Sequence, residues 1–156
     1  MSAGLQPATD LVDVVLRHPR ERLSKCSLEP LRDRPDIRFL TFGVGFSFEA
    51  TGFILLQVDA PVLSPADGRL PLLLLDSTWR LLPALLNGLT GTPIARSLPP
   101  GIRTAYPRKS KLGEDPTRGL ASVEALYCAR RLQGRADEEL LDAYRWREPF
   151  LRQFKF

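Results

Sequence analysis

The sequence predicts an α/β domain built on a mainly parallel sheet flanked by helices. Three observations carry this. Short aliphatic runs suited to buried strands fill the first half, at 11–17, 37–42, 53–58 and 70–76. The last of them, "LPLLLLD", is apolar on both faces, as the centre of a parallel sheet requires. Helical patterns follow and alternate with the strands, at 79–89, 120–134 and 136–154.

Each element has its own warrant. "LVDVVLR" (11–17) is short, apolar and rich in valine, which favours a strand. The polar stretch 18–36 carries three prolines and predicts a loop with a helical turn around Ser27–Leu31. "IRFLTF" (37–42) alternates, "GVGFSFEATG" (43–52) predicts a turn or irregular strand pair, and "FILLQV" (53–58) a third strand. "APVLSPADGR" (60–69) is a turn-rich loop before the fourth strand. "WRLLPALLNGL" (79–89) predicts a helix ending near Asn87-Gly88, with Pro83 tolerated if it falls in the first turn. Residues 90–119 predict a long loop rich in proline and glycine. "LASVEALYCARRLQG" (120–134) predicts a helix closed by Gly134. Residues 136–154 predict a second helix or a broken pair, acids first and bases last as the helix dipole prefers.

The 156 residues suit one core, so we expect a loose leader at 1–10 and a single domain over 11–156. No apolar run reaches the roughly 20 residues of a membrane span, and the first residues lack a signal-peptide pattern. The expected compartment is the cytoplasm, with no membrane partner. Cys26 and Cys128 form no C-x-x-C pair and His18 is the sole histidine, so we expect no metal site. Chemistry must then rest on carboxylates, hydroxyls, backbone groups and a bound small molecule.

Four stretches concentrate polar chemistry. Asp76-Ser77-Thr78-Trp79 follows the fourth strand and precedes a helix. That position suits a helix cap or the rim of a ligand site at a strand's carboxyl end. "RHPRERLSKCS" (17–27) and "RTAYPRKSK" (103–111) are basic. Net charge is +4, so clustering matters more than total charge. Arg20, Arg22 and Lys25 in the first run, and Arg103, Tyr106, Arg108, Lys109 and Lys111 in the second, suit contacts with RNA phosphates and a stacked base. A solvated loop accounts for either run alone. "GLASVEAL" (119–126) places Ser122 and Glu124 in a helix's first turn, where they complement free amides. No G-x-G-x-x-G or Walker pattern is present.

As an ordered set these stretches resemble the DTW-domain proteins and the small-subunit rRNA aminocarboxypropyltransferases. "DSTW" is similar to their D-x-[ST]-W signature, "LRHPRE" (16–21) to Q-H-P-x-E, and "KCS" (25–27) to K-C-[ST]. "VLSPAD" (62–67) resembles L-S-P-x-D, and 106–126 resembles the Y-x-x-R-K … G-L-S-T-x-E-A region. "LLDAYRWREPFL" (140–151) is similar to the closing L-L-x-x-F-x-W-G-x-x-F-L. The chain departs at Ser77, where Gly or Cys is usual, at Ala121 and at Arg147. "RTAYPRKSK" replaces an N-P-x-N-Y-G stretch.

The resemblance implies a SPOUT-like fold with a knotted C-terminal region. It implies S-adenosylmethionine as cosubstrate, held by Ser27, Asp76, Thr78, Trp79 and Leu98. The implied reaction moves the 3-amino-3-carboxypropyl group to a uridine or pseudouridine nitrogen. The RNA expected is small-subunit rRNA, in ribosome biogenesis. The alternatives are tRNA uridine and a non-catalytic RNA-binding assembly protein. Asp76 is the one candidate for a catalytic group.

Overall fold

The computed structural model describes residues 11–19, 27–77, 80–105, 120–135 and 137–154. Its elements run β1 (Asp13–Arg17), β2 (Ile37–Thr41), β3 (Phe48–Glu49), β4 (Ile54–Leu56), β5 (Leu72–Asp76), α1 (Leu82–Asn87), β6 (Leu89–Thr90), β7 (Ile94–Arg96), α2 (Ser122–Leu132) and α3 (Arg147–Arg152). Short 3-10 turns occupy Glu29–Leu31, Pro65–Asp67 and Glu138–Leu141. The expected leader at 1–10 lies outside the described residues.

Five strands form one sheet in the order β2-β1-β5-β4-β7, and every neighbouring pair is parallel. The α/β expectation is met. β1 and β5 are interior strands, which explains the aliphatic runs Val14–Leu16 and Leu72–Leu75: each strand is covered on two faces. The chain leaves β1 for β2 on one side, whereas it leaves β5 for β7 on the other. The connections therefore diverge between β1 and β5. That is the topological switch point, where open parallel sheets bind ligands outside the carboxyl ends of their strands.

Alternation along the strands divides the core in two. Val15, Ile37, Leu72 and Leu74 face a cluster built with Val123, Leu126, Tyr127, Leu140, Leu141 and Phe150. Val14, Leu16, Leu55 and Leu73 face the other, built with Leu85 and Ala50 and fringed by Phe42, Phe46, Phe48 and Phe53. α2 lies on the first face. Its buried Val123, Leu126, Tyr127 and Arg130 recur at the helical i, i+3, i+4, i+7 spacing.

α2 is tied at both ends. At the amino ends of the strands, Asp13 is fully buried, and its carboxylate accepts from the Leu72 N–H at 2.8 Å, Arg130 Nε at 2.8 Å and both terminal nitrogens of Arg135 at 3.2 and 3.0 Å. Arg130 also reaches Asp36 at 2.9 Å, which Arg34 grips through two nitrogens at 2.9 Å. At the carboxyl ends, the Ser122 hydroxyl donates to Asp76 at 3.1 Å. The lengths agree. Eight helical steps from Ser122 to Arg130 rise about 12 Å, and four strand steps from Asp13 to Arg17 cover about 13 Å. So α2 runs antiparallel to the strands and presents its N-terminus at the switch point.

Two glycines make close geometry possible. Gly134 ends α2 at φ +74°, and the Arg135 and Gly134 N–H groups return to the Arg130 and Arg131 carbonyls at 2.7 and 3.1 Å. This left-handed cap turns Arg135 back under the sheet to Asp13. Gly88 lies against the Phe42 ring, where a side chain would collide.

The sheet corrects the sequence reading at 90–119. That stretch predicted one long loop, yet it contains β7 and the end of β6. β7 has three residues between Pro93 and Leu98-Pro99, too few to show a period. Its pairing with β4, Ile54 opposite Ile94, supplies what local sequence does not. The glycine-rich segment 43–52 likewise forms no local strand pair: β3 pairs in parallel with the distant β6. Pro83 falls in the first turn of α1, and 136–154 resolves into the 3-10 turn and α3, the broken-pair alternative.

Replacing Asp13 with Ala leaves Arg130 and Arg135 buried without their carboxylate. We expect a loss of about 3–5 kcal/mol in urea denaturation. Acid should act on the neighbouring Asp36. Arg34 first, then Arg130, hold its carboxyl down to about 2 from an ordinary 3.8. Because the folded value is the lower one, its contribution is complete above about pH 4 and is lost as pH falls toward 2. Stability measured across that window should drop, and Asp36→Asn should flatten the slope.

Candidate functional site

The carboxyl ends of β1 and β5 bring together two charged residues that each terminate an aliphatic run. Arg17 and Asp76 are register partners in neighbouring strands. Their side chains emerge on the α2 face, and Arg17 Nε donates to Asp76 Oδ2 at 3.1 Å. Both are about 95% buried, at 5% and 4% relative exposure, so the pair is shielded from screening by salt. Arg17 is fixed further by Glu29 Oε2, 2.9 Å from its terminal nitrogen, and by the Phe39 ring, whose centroid lies 4.8 Å from the guanidinium carbon. The His18 N–H reaches the Asp76 carbonyl at 3.4 Å, and the His18 ring stacks on Phe42 with centroids 6.4 Å apart.

The other carboxylate oxygen of Asp76 accepts from Ser122. Ser122 opens α2, whose first-turn amides have no partner within the helix and carry partial positive charge. The preceding residue, Ala121, has no side-chain oxygen to cap them. Ser27 supplies one from 96 residues away: its Oγ accepts from the Val123 N–H at 3.0 Å. Glu124 serves the same turn from the opposite direction. Its fully buried carboxylate accepts from the Ala121 N–H at 2.8 Å, Thr104 Oγ1 at 2.6 Å, the Ala105 N–H at 2.9 Å and Tyr144 OH at 2.9 Å. One carboxylate therefore locks the chain at 104–105 and the C-terminal segment at Tyr144 onto the start of α2.

Of the residues singled out from the sequence, Asp76 and Ser27 converge on this turn. Leu98 lies past the end of β7, half-buried against the α2-side core. Arg103 is exposed, and Gln153 holds its backbone, accepting from its N–H at 2.9 Å and donating to its carbonyl at 2.8 Å. Thr78, Trp79, Arg20, Arg22, Lys25, Tyr106, Arg108, Lys109 and Lys111 lie outside the described residues. In "VLSPAD", Asp67 accepts from the Ser64 N–H at 2.9 Å and pairs with Arg96 at 2.9 Å, bracing the edge strand β7. Sequence reasoning counted Arg17 among the cations of the basic run 17–27 instead of pairing it with Asp76, missed Glu29, and gave Ser122 and Glu124 only a capping role. The available signal was that Arg17 and Asp76 each close an aliphatic run predicted to be a strand; that the two strands are neighbours comes from the sheet.

The Cys128 thiol is buried in α2, and burial, with Glu124 nearby, pushes it up to about 12, so it stays protonated. Among the described residues no group of His, Cys, Asp and Glu is placed to hold a metal, and no helix is long and apolar enough to cross a membrane.

These features define the class of site: the switch point of an open parallel α/β sheet, where a fixed carboxylate, two hydroxyls and a helix N-terminus meet. No model of a known protein family matches the chain. No curated protein sequence matches it either. Among solved structures, the fold is similar to that of the SAM-dependent rRNA:acp-transferase Tsr3 from Vulcanisaeta distributa. The TM-score is 0.65 at 23% identity, over 92% of this chain and 79% of that one. At this identity the likeness is one of fold.

Ser27→Ala removes the acceptor of a first-turn amide in α2. It should lower stability by about 1 kcal/mol, read as a reduced thermal midpoint, with Ser27→Thr restoring most of the loss.

Proposed function

We infer that the chain is an S-adenosylmethionine-dependent aminocarboxypropyltransferase acting on RNA, with small-subunit rRNA as its substrate. The observation that carries this is the place of Asp76. The aspartate of the D-x-[ST]-W-like stretch stands at the carboxyl end of a central strand, at the switch point, against the N-terminus of α2. The "KCS" serine meets the same helix turn, and the fold likeness extends over 92% of the chain.

The residues present fit the cosubstrate. Its amino-acid end carries an ammonium and a carboxylate. A buried aspartate suits the first, and the positive end of the α2 dipole suits the second. Asp76, Ser27, Thr78, Trp79 and Leu98 form the proposed pocket. Bound there, S-adenosylmethionine would supply a carbon already activated by its sulfonium, so the protein's task is orientation. Two donors already engage the Asp76 carboxylate. That arrangement suits an anchor for the cosubstrate, and it disfavours Asp76 as the group that deprotonates the base.

Arg20, Arg22, Lys25, Arg103, Tyr106, Arg108, Lys109 and Lys111 form the proposed RNA surface, with the acceptor a uridine or pseudouridine nitrogen. A SPOUT-like fold with a knotted C-terminal region is the proposed topology. The cytoplasm is the proposed compartment, and the reaction as written uses no metal.

Incubation with S-adenosylmethionine and small-subunit rRNA should release methylthioadenosine and add the aminocarboxypropyl mass to one nucleoside. Asp76→Ala should abolish both. Release of S-adenosylhomocysteine would identify a methyltransferase, and failure to bind S-adenosylmethionine would leave an RNA-binding protein. Arg108→Ala with Lys109→Ala should weaken RNA binding and reduce the slope of log K against log salt by about 2, with cosubstrate affinity unchanged.

A further inference from the structure

Arg17 is an expensive residue to bury, and its guanidinium engages the Asp76 carboxylate directly. The guanidinium touches Asp76, Glu29 and the Phe39 face, each from a different segment. Glu29 is the exposed member, at 30%, and it also meets Arg32 at 3.3 Å. Sheet stability alone does not call for this arrangement, since an aliphatic residue would fill the end of a central strand with no desolvation cost. What the arrangement achieves is a carboxylate locked in one rotamer. Arg17 takes Oδ2 of Asp76 and Ser122 takes Oδ1, so the carboxylate plane is fixed from two sides.

We propose that Arg17 is a positioning residue of the cosubstrate pocket, acting through Asp76 on the amino-acid end of the bound sulfonium compound. This rests on the reading of the switch-point edge as an S-adenosylmethionine site. A carboxylate that must hold an ammonium while the neighbouring carbon is transferred has to keep its direction. Arg17, itself held by Glu29 and Phe39, supplies that constraint. Glu29 supports Arg17 from the far side, and the 3-10 turn at Glu29–Leu31 places it there, two residues after Ser27. The loop that caps α2 is thus the loop that steadies Arg17.

The test is calorimetry with two probes on the full chain: S-adenosylmethionine, and methylthioadenosine, which lacks the aminocarboxypropyl group. Arg17→Met should weaken S-adenosylmethionine by about tenfold or more while leaving methylthioadenosine nearly unchanged. Arg17→Met combined with Asp76→Asn should bind no worse than Asp76→Asn alone, because the first acts through the second. Equal weakening of both probes, or additive losses in the double variant, would overturn the proposal by showing a general structural role. If Arg17→Met does not fold, Glu29→Gln carries the test. It should lower S-adenosylmethionine affinity by about threefold and spare methylthioadenosine, and unchanged affinity for S-adenosylmethionine refutes the role. Wild-type protein that binds neither probe overturns the functional reading along with this one. Wild-type protein that binds both, with no selective effect of either variant, overturns this one alone.

Discussion

The buried carboxylate of Asp13 is the constraint on which the architecture turns. It sits at the start of the central strand β1 and joins three things that sequence keeps far apart: the first amide of β5, the last turn of α2 and the residue beyond the helix cap. Removing a carboxylate and two guanidiniums from water is costly, so the arrangement holds only with its hydrogen bonds complete. Complete, it allows one seating of α2 on the sheet. The helix cannot slide without parting Arg130 from both Asp13 and Asp36. Because helix and strand lengths match, fixing the C-terminal end of α2 also sets its N-terminus beside Asp76.

From this follows the polarity of the molecule. One end of the sheet is a network of ion pairs joining Asp13, Arg34, Asp36, Arg130, Arg135 and Asp137. At the other end, among the described residues, Ser27, Asp76, Ser122 and Glu124 meet at the first turn of α2. The first end is where the fold is locked, and the second is where chemistry can be done. A parallel sheet favours this division, since all its strands end on one side and its connecting loops gather there.

The sequence disclosed the strands that are long and aliphatic, because burial on both faces leaves its mark as an unbroken run. It disclosed α2 through its period and Gly134. It could not disclose β3, β6 and β7, which have two or three residues each and exist through pairing with distant partners. The same holds at the site. "DSTW" was conspicuous because it interrupts leucines, and Asp76 proved to stand at the switch point. That Arg17 would be its partner, 59 residues earlier, is a fact of register. That Ser27 would cap a helix in place of Ala121 is a fact of tertiary contact. Glu124 read as an ordinary first-turn acid, and its joining of 104–105 to Tyr144 has no local signature.

The central claim is that the carboxyl edge between β1 and β5 is where the ligand lies. A crystal structure grown with S-adenosylmethionine tests it most directly. The account predicts ligand density at the start of α2, with the amino-acid end within hydrogen-bond reach of Asp76 or the α2 first-turn amides. Density confined to another surface, such as the hollow between α2 and α3 lined by Tyr127, Arg131 and Phe154, would contradict it.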